Sequence, residues 1–108
     1  VKVCYLIWKD PWMTIGVDTF IHSMLTEAGF INVFSHKKRY PVCTIEEIVS
    51  ARPDYIFLSS EPYPFSQKDL EYFKPQKAIL VNGKAFSWYG SELLNTFTYL
   101  RTLISRIT

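Results

Sequence analysis

Hydrophobic positions along the chain alternate between two rhythms. Val3, Cys4, Tyr5, Leu6, Ile7 and Trp8 form a near-continuous apolar run, the pattern of a parallel strand covered on both faces. The polar segment 9–16, which holds Pro11 and Gly16, predicts a loop. Phe20, Ile21, Met24, Leu25 and Ala28 then recur at helical spacing, with Asp18 as the expected cap and Gly29 as a left-handed stop. A short strand is predicted over 31–34, a polar loop over 35–41, and a second helix that starts at Thr44 and ends before Pro53. Residues 55–59 read as another buried strand, and the Pro-rich stretch 60–65 as a loop. Ser66 with Asp69 caps a third helix to Phe73, residues 78–81 form the last strand, and residues 91–106 a terminal helix.

Strands alternating with helices imply a parallel sheet with helices on both faces, joined by right-handed crossovers. The expected fold class is therefore α/β: a Rossmann-like three-layer sandwich with a mainly parallel four- to five-stranded sheet. The 108 residues make one domain, with no internal repeat. In such sheets ligands sit beyond the carboxyl ends of the strands. The loops there carry Trp8, Trp12, Tyr40, Tyr63, Phe65, Phe86, Trp88 and Tyr89, eight of the 18 aromatic residues and all three Trp. Some of these can tuck under their loops as a packing cluster. As a set they point to a ligand or partner surface, because surface loops otherwise favour small polar residues.

Charge narrows the classes further. A net charge of +2 and 20% charged residues exclude an acidic disordered tail and a binder whose basic face dominates the composition. Mean hydropathy is +0.03 and no apolar run is long enough to span a membrane. The chain opens Val1-Lys2-Val3 without an initiator Met, and reads as a fragment or a processed chain. Cys4 and Cys43 have no CxxC spacing and no nearby His pair, so no metal site is expected, and Cys4 fits a small buried hydrophobe.

No catalytic signature emerges. The first loop has the single Gly16, so there is no GxGxxG motif and no phosphate-cradling lysine. His22 and His36 lack an evident acid or nucleophile and read as solvated surface residues. Glu61, at the end of a strand, is the one candidate general acid. In Thr44-Ile45-Glu46-Glu47, Thr44 and Glu47 form a capping box, which leaves Glu46 exposed, either as a solvated charge or as a docking charge. His36-Lys37-Lys38-Arg39 serves solubility or, with Lys9 and Lys84, attracts an anionic ligand. A nucleic-acid surface is not expected, since the aromatics lie among prolines and do not alternate with basic residues.

These residues carry a resemblance. The order Tyr5-Leu6-Ile7-Trp8-Lys9-Asp10-Pro11-Trp12-Met13-Thr14, Gly16, Asp18-Thr19-Phe20-Ile21, Arg39-Tyr40-Pro41, Thr44-Ile45-Glu46-Glu47-Ile48, Arg52-Pro53-Asp54, Ser59-Ser60-Glu61-Pro62-Tyr63-Pro64-Phe65 and Phe86-Ser87-Trp88-Tyr89-Gly90 runs through nearly the whole chain. It resembles the C-terminal lobe of ABC-transporter substrate-binding proteins for cobalamin and iron siderophores, whose two lobes are joined by a long rigid helix. The resemblance implies that residues 1–108 are one lobe and that the protein is not an enzyme. It implies a substrate-binding component of an importer that delivers a metal-chelate nutrient, cobalamin or a ferric siderophore, to a membrane permease. The same resemblance places Trp8, Trp12, Tyr40, Tyr63, Phe86 and Trp88 at the ligand and sets Glu46 against arginines of the permease. It further implies no cofactor other than the transported chelate, a monomer, and a location in the periplasm or lipid-anchored at the outer face of the cytoplasmic membrane. Val17 departs from the pattern, standing where a second Gly is expected after Gly16. An enzyme centred on Glu61 and a protein-interaction module are the alternatives from other classes.

Overall fold

The first apolar run forms the middle of the sheet. The structure is a computed structural model and describes residues 1–83 together with Thr102 and Ser105. In chain order the elements are β1 (Lys2–Trp8), β2 (Trp12–Thr14), α1 (Phe20–Glu27), β3 (Ile31–Asn32), β4 (Val42–Cys43), α2 (Ile45–Ser50), β5 (Tyr55–Ser59), a 3-10 helix (Gln67–Phe73) and β6 (Ala78–Val81). The expected helix over 91–106 lies, apart from Thr102 and Ser105, outside the described residues, as do Lys84, Phe86, Trp88 and Tyr89.

The sheet order is β4-β2-β1-β5-β6, with β3 also paired to β1. Pairing is parallel for β1 with β3, β1 with β5, and β5 with β6, in the register Val3 opposite Tyr55 and Leu6 opposite Leu58. The expected four- to five-stranded sheet thus has six strands, because the first two loops contribute β2 and β4, both paired antiparallel. Each is two or three residues long, too short for a periodicity of its own, and β4 is held only by the sequence-distant β2. β3 is also shorter than expected. The Asn32 side chain accepts the Phe34 backbone N–H at 2.9 Å and turns the chain away from the sheet.

Side chains of β1 alternate between two cores. Val3, Tyr5 and Ile7, with Phe57 of β5, face Met24 and Leu25 of α1. Cys4 and Leu6, with Ile56 and Leu58, face Ile48 of α2 and Phe73 of the 3-10 helix. Helices therefore cover both faces, which gives the three layers. The thiols of Cys4 and Cys43 are free and buried. Burial pushes the Cys43 thiol up to about 11 and raises that of Cys4 as well.

Helix starts follow capping chemistry with one correction. Thr19, not Asp18, caps α1: its Oγ1 accepts the His22 N–H at 3.1 Å and donates to the Gly16 carbonyl at 2.9 Å. The Asp18 carboxylate instead accepts the Arg39 backbone N–H, which holds its pKa below the usual value. At α2 the capping box forms as read: Thr44 Oγ1 accepts the Glu47 N–H at 3.1 Å and Glu47 accepts the Thr44 N–H at 3.0 Å. Gly29 leaves α1 at φ +90°, where a side chain would be strained.

Candidate functional site

Two loops zip together to build the site at the carboxyl end of β1. Thr14 N–H donates to the Pro41 carbonyl at 3.0 Å, Gly16 N–H to Arg39 at 2.7 Å and Val17 N–H to Lys37 at 2.8 Å. Gly16 is required by this contact, since a Cβ there would stand 2.5 Å from the Lys37 carbonyl oxygen. The need for glycine comes from the packing of the two loops, and Val17 is exposed to solvent.

The zipped loops set Tyr40 over a cavity of about 430 Å³ lined by Ile7, Trp8, Met13, Ile21, Tyr40 and Pro62. The register of β1 on β2 slips between Leu6 and Trp8, so the consecutive residues Ile7 and Trp8 both border it. Trp8 and Tyr40 remain 39% and 53% exposed, a large free apolar area for two residues at one cavity. Tyr63 meets the Trp8 ring edge-on at 5.4 Å, and its N–H donates to the Ile7 carbonyl at 3.2 Å, so it supports the wall that Trp8 forms. The wall at Pro62 is fixed from below, where buried Tyr5 donates to Ser59 Oγ and Ser59 donates to the Glu61 carbonyl at 2.6 Å. A cavity of this size, with apolar walls and a phenol at its rim, has the chemistry to receive the apolar face of a ligand. Among the described residues no group of His, Cys, Asp or Glu is arranged to hold a metal ion.

Trp12 is not part of this cavity, contrary to its expected grouping with Trp8. Successive β2 side chains point to opposite faces, so Met13 joins the cavity and Trp12 goes to the other side. There it stacks on Phe65 at 6.3 Å and meets Tyr72 and Phe73 edge-on at 5.5 and 5.1 Å. Part of the aromatic edge is therefore a packing cluster. Phe86, Trp88 and Tyr89 lie outside the described residues.

The basic residues are also divided. Lys9 Nζ lies 2.9 Å from Tyr72 Oη and 3.4 Å from Asp69 Oδ1, a pairing that raises its pKa and commits it to the 3-10 helix rather than to an anionic ligand. Lys37 pairs with Glu47 at 3.6 Å. Lys38 and Arg39 remain exposed beside Tyr40. His22 is half-buried and hydrogen-bonded, with Nδ1 3.2 Å from the Asn32 amide nitrogen, which corrects its reading as a solvated residue; His36 is exposed. Glu46 projects from the first turn of α2 without an ion pair among the described residues. Glu61 forms none either.

The sequence matches no protein-family model and no curated protein. The fold does match solved structures. A possible iron-binding (periplasmic solute-binding) protein from Staphylococcus epidermidis superposes with a TM-score of 0.79 at 23% identity, over 95% of this chain and 44% of that one. The periplasmic vitamin B12 binding protein BtuF of Vibrio cholerae gives 0.76 at 15% identity, over 99% and 45%. The periplasmic heme binding protein HutB of the same organism gives 0.73 at 17% identity, over 95% and 46%. The chain spans less than half the length of each of these proteins. Its fold is that of one lobe of the periplasmic solute-binding proteins.

Proposed function

We propose that this chain is one lobe of the substrate-binding component of an ABC importer. Outside the cytoplasmic membrane, in the periplasm or lipid-anchored, the protein closes over a metal chelate and delivers it to a membrane permease. The observation that carries the reading is the cavity between Trp8 and Tyr40, at the carboxyl end of the central strand of a fold shared with proteins described as binding iron, vitamin B12 and heme. Burial of the chelate's flat apolar faces against these rings supplies affinity without a metal ligand from the protein. Tyr63 supports the ring of Trp8, and Phe86 and Trp88 extend the aromatic set. Glu46 docks the loaded protein on a cationic side chain of the permease. The solute-binding descriptions of the similar structures favour this reading over an enzyme acting through Glu61 or a protein-interaction module.

The test is tryptophan fluorescence of the full-length protein titrated with cyanocobalamin, a panel of ferric siderophores and heme. Saturable quenching by one of these, lost in Trp8→Ala, supports the reading and selects the substrate; no quenching by any of them removes it. Glu46→Ala is expected to keep the chelate affinity of the parent while lowering uptake about tenfold. Unchanged uptake would remove the docking role.

A further inference from the structure

Among the described residues, Lys9 and Asp69 form the ion pair most withdrawn from solvent. Nζ lies 3.4 Å from Oδ1 and the two side chains are 15% and 2% exposed, whereas the partners in Lys37–Glu47 and Lys74–Glu71 stand much further into water. Such a pair is a weak source of stability, because desolvation of both charges offsets their attraction. Its hydrogen bonds do fix where each group sits. The Asp69 carboxylate uses Oδ2 at the start of its own helix, where it accepts the Ser66 N–H at 2.9 Å. Oδ1 accepts from Lys9, whose Nζ also donates to Tyr72 Oη at 2.9 Å. Both ends of the pair adjoin the ligand cavity without lining it. Lys9 directly follows Trp8, which forms one wall. Ser66 closes the loop 60–65, which brings Pro62 to the cavity and Tyr63 against the Trp8 ring at 5.4 Å.

We propose that Lys9 and Asp69 are positioning residues of the ligand cavity: their pairing ties the loop after β1 to the loop after β5 and so sets Trp8 against Tyr63 before a ligand arrives. The proposal rests on the cavity being the ligand site, and it assigns a role to two side chains that lie outside that cavity. An aromatic wall held in place beforehand spares the bound state the cost of ordering a mobile ring. The Tyr63 N–H on the Ile7 carbonyl anchors the loop after β5 at one point, and Asp69 anchors its far end through Ser66. Without the pair, the stretch that follows Trp8 loses its tie to the 3-10 helix.

The experiment compares the full-length parent, Lys9→Met with Asp69→Asn, Trp8→Ala, and the triple variant, each with its melting temperature. Replacing both members of the pair leaves no buried charge without a partner, which keeps the protein folded. Two readings are taken. One is affinity for whichever of cyanocobalamin, heme and the ferric siderophores quenches the parent. The other is near-ultraviolet circular dichroism of the ligand-free protein, in which the parent minus Trp8→Ala gives the Trp8 band. The Lys9→Met, Asp69→Asn protein is expected to lose most of that band and to bind about three- to tenfold more weakly, at a melting temperature near the parent's. In the Trp8→Ala background the same two changes are expected to add no further loss, because the ring they position is gone. Retention of the Trp8 band and of parent affinity would reduce the pair to a structural contact and overturn the inference. A loss that persists undiminished in the Trp8→Ala background would overturn it too, since the pair would then act elsewhere than on Trp8. If none of the probes binds the parent, the proposed function falls, and the Trp8 band alone decides whether the pair positions the ring.

Discussion

Asn32 shows how one side chain holds several elements at once. It is 2% exposed; its amide nitrogen donates to the Ile15 carbonyl at 2.9 Å and lies 3.2 Å from His22 Nδ1, while its oxygen accepts from Phe34 N–H. Donation from the amide makes Nδ1 of His22 an acceptor. Truncation to Ala leaves a carbonyl and an N–H without these partners in the core, a cost of about 1 to 3 kcal/mol for each such group. Asn32→Ala is therefore expected to lower the stability of the lobe by about 2 to 3 kcal/mol, read as a lower denaturant midpoint with an unchanged slope. A midpoint equal to the parent's would show that the site relaxes around the loss. Nothing in the sequence singles out Asn32, because two of its three partners, Ile15 and His22, come from separate segments. The roles of Thr44 and Glu47 were legible, since a capping box closes within four residues. Thr19 illustrates the limit: Asp18 and Thr19 are both good caps, and the Arg39 N–H that claims Asp18 is 21 positions away.

At the scale of elements, the second loop is held by carboxylates that titrate. Glu47 lies below its ordinary pKa of 4.5, first because it accepts the Thr44 backbone N–H and then through the Lys37 ammonium. Asp18 lies below 3.8, chiefly because it accepts the Arg39 backbone N–H. A carboxyl depressed by folding binds fewer protons in the native state than in the unfolded one. Its stabilisation is full above the unfolded pKa and is lost as pH falls through the native value. The lobe is expected to be destabilised as pH drops below about 4.5, with a shallower acid limb in Glu47→Gln, measured as denaturant midpoint against pH. Identical acid limbs in the two proteins would dismiss the capping carboxylate as a source of the dependence. The long apolar strands and amphipathic helices were readable because each carries its own period. β2 and β4 were not: each is too short to carry a period of its own, and β4 pairs with β2 only because the two loops zip together beside Gly16.

For the molecule as a whole, the division of the aromatic edge decides what Trp8 and Trp12 do. Its enrichment at the carboxyl end of the sheet was visible from the alternation of strands and loops, and so were the three layers. The assignment of Trp8 and Trp12 to different faces was not, because it follows from the antiparallel turn of β2 that the sequence pattern hides. The consequence is a pair of substitutions with opposite signatures in the full-length protein. Trp8 is 39% exposed and rests on Tyr63, so Trp8→Ala is expected to weaken chelate binding about tenfold or more with little change in stability. Trp12 is half-buried among Phe65, Tyr72 and Phe73. Its truncation removes core contacts, and Trp12→Ala is expected to cost about 3 kcal/mol of stability while chelate affinity stays within about twofold of the parent. Titration and denaturation of the same two variants measure both quantities. If Trp12→Ala abolishes binding in a protein that is still folded, the ligand reaches across β2 and the two faces act as one site; if Trp8→Ala binds like the parent, the cavity beside Tyr40 is not where the chelate sits.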